Sequence, residues 1–191
     1  DGNDATDQGI IKMFGISKRE DKIKALSELN IVPLSISYEW ETCDYMKALE
    51  LYQSRFGKYV KKQGEDLSSI LSGITSFKGD VHLTFCPMIT EQDLMVYDSL
   101  PGIEYNREVA RLLDRRIYAG YRLTPNNFIA HDIRFGKHEF KGGKYTDEQK
   151  DRFLHHLKKL EKYDVDEPEV LMDIFLGIYS NPVDNCFERN H

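Results

Sequence analysis

The sequence predicts an α/β fold over its first half and an all-helical arrangement over its second, and three observations carry that expectation. Ile31–Tyr38 (IVPLSISY) and Val81–Cys86 (VHLTFC) are short apolar runs of strand length. The residues between them carry helical spacing, and strand, helices, strand is a crossover unit of the kind that builds α/β sheets. After Asp98 the periodic segments are helical. The chain therefore divides into an α/β domain at residues 1–98 and a helical C-terminal subdomain at residues 99–191.

Each element has a local reason. The opening DGNDATDQG is loop-forming, and Thr6 or Asp7 serves as the cap of a helix over Ile10–Phe14 that Gly15 stops. Ser17–Leu29 reads as a second helix. Asn30 breaks it and leads into Ile31–Tyr38, whose near-continuous apolar run predicts a strand buried on both faces, as in a parallel sheet. Asp44–Lys62 reads as one long amphipathic helix despite Gly57, and Asp66 caps another over Leu67–Phe77. The turn Lys78-Gly79-Asp80 opens the second strand, which Pro87 ends. Further on, Asn106–Tyr121 is amphipathic, and Thr124-Pro125 places a cap before a first-turn proline. Thr146–Tyr163 and Glu167–Tyr179 complete the helices, and Asn181–His191 is expected to be a loose tail.

Composition bounds the function. The 191 residues are 40% hydrophobic and 30% charged, an ordinary soluble balance able to bury a sizeable core. A net charge of −6 argues against a dedicated nucleic-acid binder, so no nucleic-acid partner is expected. The three dispersed cysteines, Cys43, Cys86 and Cys186, suit a reducing compartment rather than a disulfide framework. No apolar run approaches the roughly 18 residues of a membrane span. The first residue is Asp1 rather than Met, and a segment upstream of it is expected.

No complete catalytic constellation is legible from motifs. The opening loop lacks the alternating oxygen ligands of a calcium loop, with Ala5 and Thr6 at the fifth and sixth positions, so a loop and cap is preferred and no metal is assigned. His155 and His156 are adjacent and point about 100° apart on a helix, so both are read as part of a solvated face. His131 and Asp132 are neighbours that do not face each other on a helix. His82 is read as a packed or edge residue. Asn126 and Asn127 are read as polar first-turn residues. The sequence holds no G-x-S-x-G elbow, Gly-rich phosphate loop or H-E-x-x-H.

One resemblance runs through residues 1 to 90. The segment LNIVPLSISYEWETCDYMKALEL, the helix after it, and EDLSSILSGITSFKGDVHLTFCPMI follow one another as comparable elements do in the glycerol-3-phosphate acyltransferase family. There an Ile-Val-Pro strand with a following Tyr-Glu pair forms the fourth family motif. The start, with Gly9 before a helix containing Met13, resembles the segment just after the third motif, a Glu-Gly-x-Arg loop. The resemblance implies a partial acyltransferase sheet with flanking helices. It implies acyl transfer from acyl-CoA or acyl-carrier protein to glycerol-3-phosphate or a lysophospholipid, without a further cofactor. It also implies a cytoplasmic location, peripheral to the inner membrane.

The family's chemistry rests on a His and an Asp separated by four residues, and neither that pair nor the Glu-Gly-x-Arg loop occurs in this sequence. Both are expected upstream of Asp1, so the chain alone is expected to be inactive and to carry no catalytic residue. Substrate contact is assigned to Pro33, Ser37, Tyr38 and Glu39, at and beside the end of the first strand. Lys12 and Lys18 are read as solvated rather than phosphate-binding. Association through a bared sheet edge and peripheral membrane contact are further expectations. The alternative is a noncatalytic lipid- or protein-binding module.

Overall fold

The computed structural model describes residues 3, 5–18, 20–60 and 63–187. Residues 1, 2 and 4 of the opening loop, Arg19 of the expected second helix, Lys61 and Lys62 of the expected long helix, and residues 188–191 of the expected tail lie outside the described residues. In chain order the elements are α1 (Gln8–Phe14), α2 (Lys22–Ser27), β1 (Leu34–Tyr38), α3 (Asp44–Ser54), α4 (Glu65–Thr75), β2 (Val81–Phe85), α5 (Glu91–Met95), α6 (Gly102–Gly120), α7 (Pro125–Arg134), α8 (Asp147–Leu157) and α9 (Pro168–Phe187). Short 3-10 turns occupy Gly15–Lys18 and Lys158–Lys162. The fold is mixed α and β with helix predominant.

Two compact units form, one chiefly from Ser37–His82 and Arg122–His191, the other from Asp4–Ile36 and Leu83–Tyr121. They do not follow the expected division at 98/99, since each draws on both sides of that point. The reason is the strand pair: the chain leaves one unit along β1 and returns to it along β2.

The sheet corrects the expectation of a parallel crossover. It has two strands, β1 beside β2. The amide of Glu39 donates to the carbonyl of Asp80 at 2.9 Å, and that of Cys86 to Pro33 at 2.9 Å. The residue numbers rise on one strand as they fall on the other, so the pairing is antiparallel. This register sets Leu34 opposite Phe85 and Ile36 opposite Leu83, with side chains on one face.

That face is the exposed one. Leu34, Ile36, Leu83 and Phe85 are 49%, 49%, 48% and 72% exposed, whereas Ser35 is 1% and Cys86 4% exposed. The usual alternation of apolar inside and polar outside is inverted. The small inward row exists because α6 lies close. A Cβ on Gly120 would stand 2.8 Å from the Ser35 Cβ and 2.9 Å from the Cys86 sulfur, so glycine is required for this approach. Thr84 Oγ1 fastens the contact by donating to the Gly120 carbonyl at 2.9 Å.

The core of this unit gathers Ile11, Leu26, Ile89, Leu94, Tyr105, Val109, Ala110, Leu112 and Leu113. Helix α1 is capped by Asp7, whose Oδ1 accepts from the Gly9 amide at 2.7 Å. It buries only Ile11 and leaves Ile10, Met13 and Phe14 exposed. Helix α5 begins with a capping box of Thr90 and Asp93. The Thr90 amide and hydroxyl, then Arg116, hold the Asp93 carboxyl below its ordinary range.

In the other unit, α3, α7, α8 and α9 surround Phe128, Ile129, Phe153, Leu171, Phe175, Tyr179 and Val183. Three local expectations are corrected. The long helix stops at Ser54, because Gly57 adopts φ +152°, outside any helix. Helix α4 starts two residues earlier than expected, and its cap is Gly64 rather than Asp66. The expected loose tail is helical to Phe187, running through Pro182. Proline costs a helix about 3 kcal/mol, and burial of the apolar face carried by Leu176, Ile178, Tyr179 and Val183 works against that cost. Thr124 forms the anticipated cap of α7, with Asn127 completing a capping box.

Candidate functional site

The most elaborate polar arrangement centres on Asp44, the first residue of α3, which is 2% exposed. Its Oδ1 accepts from the Tyr45 amide at 2.7 Å. Its Oδ2 accepts from the Tyr179 hydroxyl at 2.7 Å and lies 2.7 Å from His156 Nε2. These donors come from α3, α9 and α8. Tyr179 in turn accepts from the Glu41 amide at 3.1 Å, and Tyr45 donates to the His156 carbonyl at 2.7 Å. Burial first, and the Asp44 charge second, hold the Tyr179 phenol well above its ordinary range. The Tyr45 phenol is raised for the same two reasons.

His156 is thus not on a solvated face. Its side chain is 20% exposed, and its ring lies 4.8 Å from both the Trp40 and Tyr45 rings. His155, one residue earlier, is exposed as expected. An imidazole oriented by a buried carboxylate is suited to hold or relay a proton at its other nitrogen. Of the serine hydroxyls in the same cleft, Ser72 Oγ donates to the Thr42 carbonyl at 3.4 Å and lies 3.3 Å from Ser76 Oγ. Asp44, His156 and Tyr179 therefore act as a buried clamp across three helices. The cleft beside it measures about 520 Å³ and is walled by Trp40, Ser72, Ser76, Phe77, Arg152, His155, His156 and Lys159.

A second buried carboxylate, Asp132, is 2% exposed. It accepts from the Tyr145 hydroxyl at 2.7 Å and from the amides of Glu139 and Phe140 at 3.1 and 3.2 Å. His131 turns the other way, with Nε2 3.2 Å from Asp184 Oδ1. The two neighbours do not form a dyad, as helix geometry required. Burial, followed by the Asp132 hydrogen bond, pushes the Tyr145 phenol up to about 12. A group held protonated in the fold stabilises it fully below the ordinary tyrosine value and loses that contribution as pH rises to the shifted one. The urea midpoint is therefore expected to fall between about pH 10 and 12, and to fall less steeply in Tyr145→Phe. A steeper fall in that variant contradicts the assignment.

The four residues assigned to substrate lie in two places. Pro33 is buried in the Asp4–Ile36 segment, with its carbonyl accepting from the Cys86 amide at 2.9 Å. Ser37 and Glu39 line a polar groove of about 420 Å³ with Asp80, His82, Arg122 and Gln149. Their polar atoms serve the fold there. Ser37 Oγ accepts from the Arg122 amide at 3.0 Å, and Glu39 Oε2 from the Asp80 amide at 3.0 Å. The Glu39 side chain also fills the space over Gly79, which has φ +63°. Tyr38 is half-buried. Lys12 is exposed, and Lys18 is exposed but ion-paired with Glu28. Asn126 and Asn127 do more than begin a helix: their side-chain amides donate to the carbonyls of Glu39 at 2.6 Å and Tyr179 at 2.8 Å.

The clamp was missed because its members are 112 and 135 residues apart, and Asp44 reads locally as an ordinary acidic residue at a helix start. Among the described residues no group of His, Cys, Asp and Glu is placed to hold a metal, and no helix is long and apolar enough to cross a membrane. No family model, curated protein or solved structure matches the chain.

Proposed function

We propose that this chain is the downstream part of a glycerolipid acyltransferase, contributing a partial acyltransferase sheet and its flanking helices. The whole enzyme transfers an acyl group from acyl-CoA or acyl-carrier protein to glycerol-3-phosphate or a lysophospholipid. Its His and Asp, separated by four residues, stand on an upstream segment, where the imidazole takes the acceptor's hydroxyl proton as the oxygen attacks the thioester, and returns it to the thiolate as the carbon–sulfur bond breaks. The enzyme works at the cytoplasmic side of the inner membrane, as a peripheral protein, because a lysophospholipid acceptor and the acylated product of either acceptor partition there.

The inverted alternation of the sheet carries this reading. Leu34, Ile36, Leu83 and Phe85 form a bare apolar face while the opposite face is sealed against Gly120. Two strands apolar on one side and closely packed on the other are the inner piece of a layered α/β sheet. Helix α1, apolar nearly all round yet burying only Ile11, has the same character. The residue order of the family resemblance supplies the identity of the missing layer.

The reading frame upstream of Asp1 tests it. The expected result is His, four residues, Asp, and later Glu-Gly-x-Arg close to Asp1. An upstream frame without both motifs overturns the proposal, and the bare face is then a docking surface of a noncatalytic module.

A further inference from the structure

We propose that the cleft beside the Asp44 clamp binds a small phosphomonoester carrying a flat ring. Arg152, His155 and Lys159 follow one another at helical spacings of three and four along α8 and the turn after it, so they share one face. All three line the cleft. Four cations of this unit are matched to carboxylates: Lys47 to Glu41 at 3.3 Å, Arg55 to Glu167 at 3.2 Å, Arg134 to Asp173 at 3.0 Å and Lys141 to Asp147 at 2.7 Å. Among the described residues, Arg152 and Lys159 have no such match.

The acids of the cleft direct their oxygens to other partners than Arg152 and Lys159. Glu41 is engaged by Lys47, and Asp44 is saturated by its three donors. Arg152 and Lys159 therefore face the cleft from one side with no carboxylate paired to them among the described residues, while the two acids of its lining are turned to other partners. Its far wall is the last turn of α4, whose carbonyl ends disfavour an anion. That effect is countered by Lys78 Nζ, which donates to the carbonyls of Ile74 and Ser76 at 3.2 and 3.1 Å.

The shape of the charge selects a phosphate, and the remaining wall selects a ring. A guanidinium fork and an ammonium on one face match the several oxygens of a phosphomonoester dianion, with Ser76 Oγ on the opposite wall. Phe77, 79% exposed, and Trp40, held from behind by Phe153 at 6.1 Å, give flat apolar surface beside the cations. The volume of about 520 Å³ suits a ligand of nucleotide size. This inference is independent of the acyltransferase reading, because every residue it uses belongs to one compact unit.

Calorimetric titration of the 191-residue chain with AMP, ribose 5-phosphate, adenosine and inorganic phosphate tests it. AMP is expected to bind, with each of the other three weaker by about tenfold or more. Arg152→Gln and Lys159→Gln, both at exposed positions, are expected to weaken AMP about tenfold each without moving the urea midpoint. Phe77→Ala is expected to weaken AMP while leaving ribose 5-phosphate unchanged. No binding of AMP, AMP no tighter than inorganic phosphate, or full affinity in the Arg152→Gln, Lys159→Gln double variant overturns the proposal.

Discussion

Asp44→Ala is expected to destabilise the chain by roughly 3–5 kcal/mol, the cost of removing one partner from a buried charged cluster. The loss is large because three donors converge on one carboxylate that is 2% exposed. Alanine leaves the buried Tyr179 hydroxyl without its acceptor and the His156 ring without its partner, and a buried polar group without a partner is costly in itself. Asp44→Asn keeps an acceptor and is expected to lose less, about 1–3 kcal/mol. The contrast is Asp147→Ala, which breaks an exposed pair with Lys141 at 2.7 Å and is expected to change stability by less than about 1 kcal/mol. Urea denaturation of the three variants measures the order. An Asp44→Ala loss no larger than that of Asp147→Ala contradicts the clamp.

The second large effect is on activity rather than stability. Leu34→Lys with Leu83→Lys places two charges on the bare sheet face, at positions 49% and 48% exposed. In the 191-residue chain the pair is expected to change stability by no more than about 0.5 kcal/mol, as for other surface changes. In the chain extended upstream the same pair is expected to lower acyl transfer about a hundredfold, since a small displacement of a supporting layer is enough to misalign reacting groups. Full activity in the extended variant shows that nothing covers this face. Loss of stability in the short chain shows that the face is already packed.

What the sequence revealed of the fold is what local chemistry decides. Asp7 and Thr124, both read as caps, do cap helices, and Thr124 is followed three residues later by the reciprocating side chain of Asn127; the helix that Thr90 caps was not read from the sequence. Both strands were legible as short apolar runs. Their partnership was not, because an apolar run buried on two faces reads the same whether its neighbour runs parallel or antiparallel. Gly57 was overruled by the apolar stripe around it, although its φ of +152° was the stronger constraint. The opposite error arose at Pro182, where burial of the helix's apolar face, Val183 included, works against the local penalty.

The site was legible only in part. Ser37 and Glu39 were assigned from their place at a strand end, and they do line a groove, yet their polar atoms brace Arg122 and Asp80. His156 was set aside because its helical neighbours offer no partner. Its partner, Asp44, comes from a different helix 112 residues away, a distance over which one sequence carries no pairing signal. The basic row of Arg152, His155 and Lys159 was present in the spacing, but only the fold shows that it faces a cleft rather than open water.

The central claim is that this chain forms one part of an acyltransferase whose proton-moving pair lies upstream. Its most direct measurement is thiol release from acyl-CoA in the presence of glycerol-3-phosphate or a lysophospholipid, made on the 191-residue chain and on the same chain extended by its upstream coding segment. The account predicts no release from the short chain and acceptor-dependent release from the extended one. Turnover by the short chain, or none by the folded extended chain with either acceptor, contradicts it.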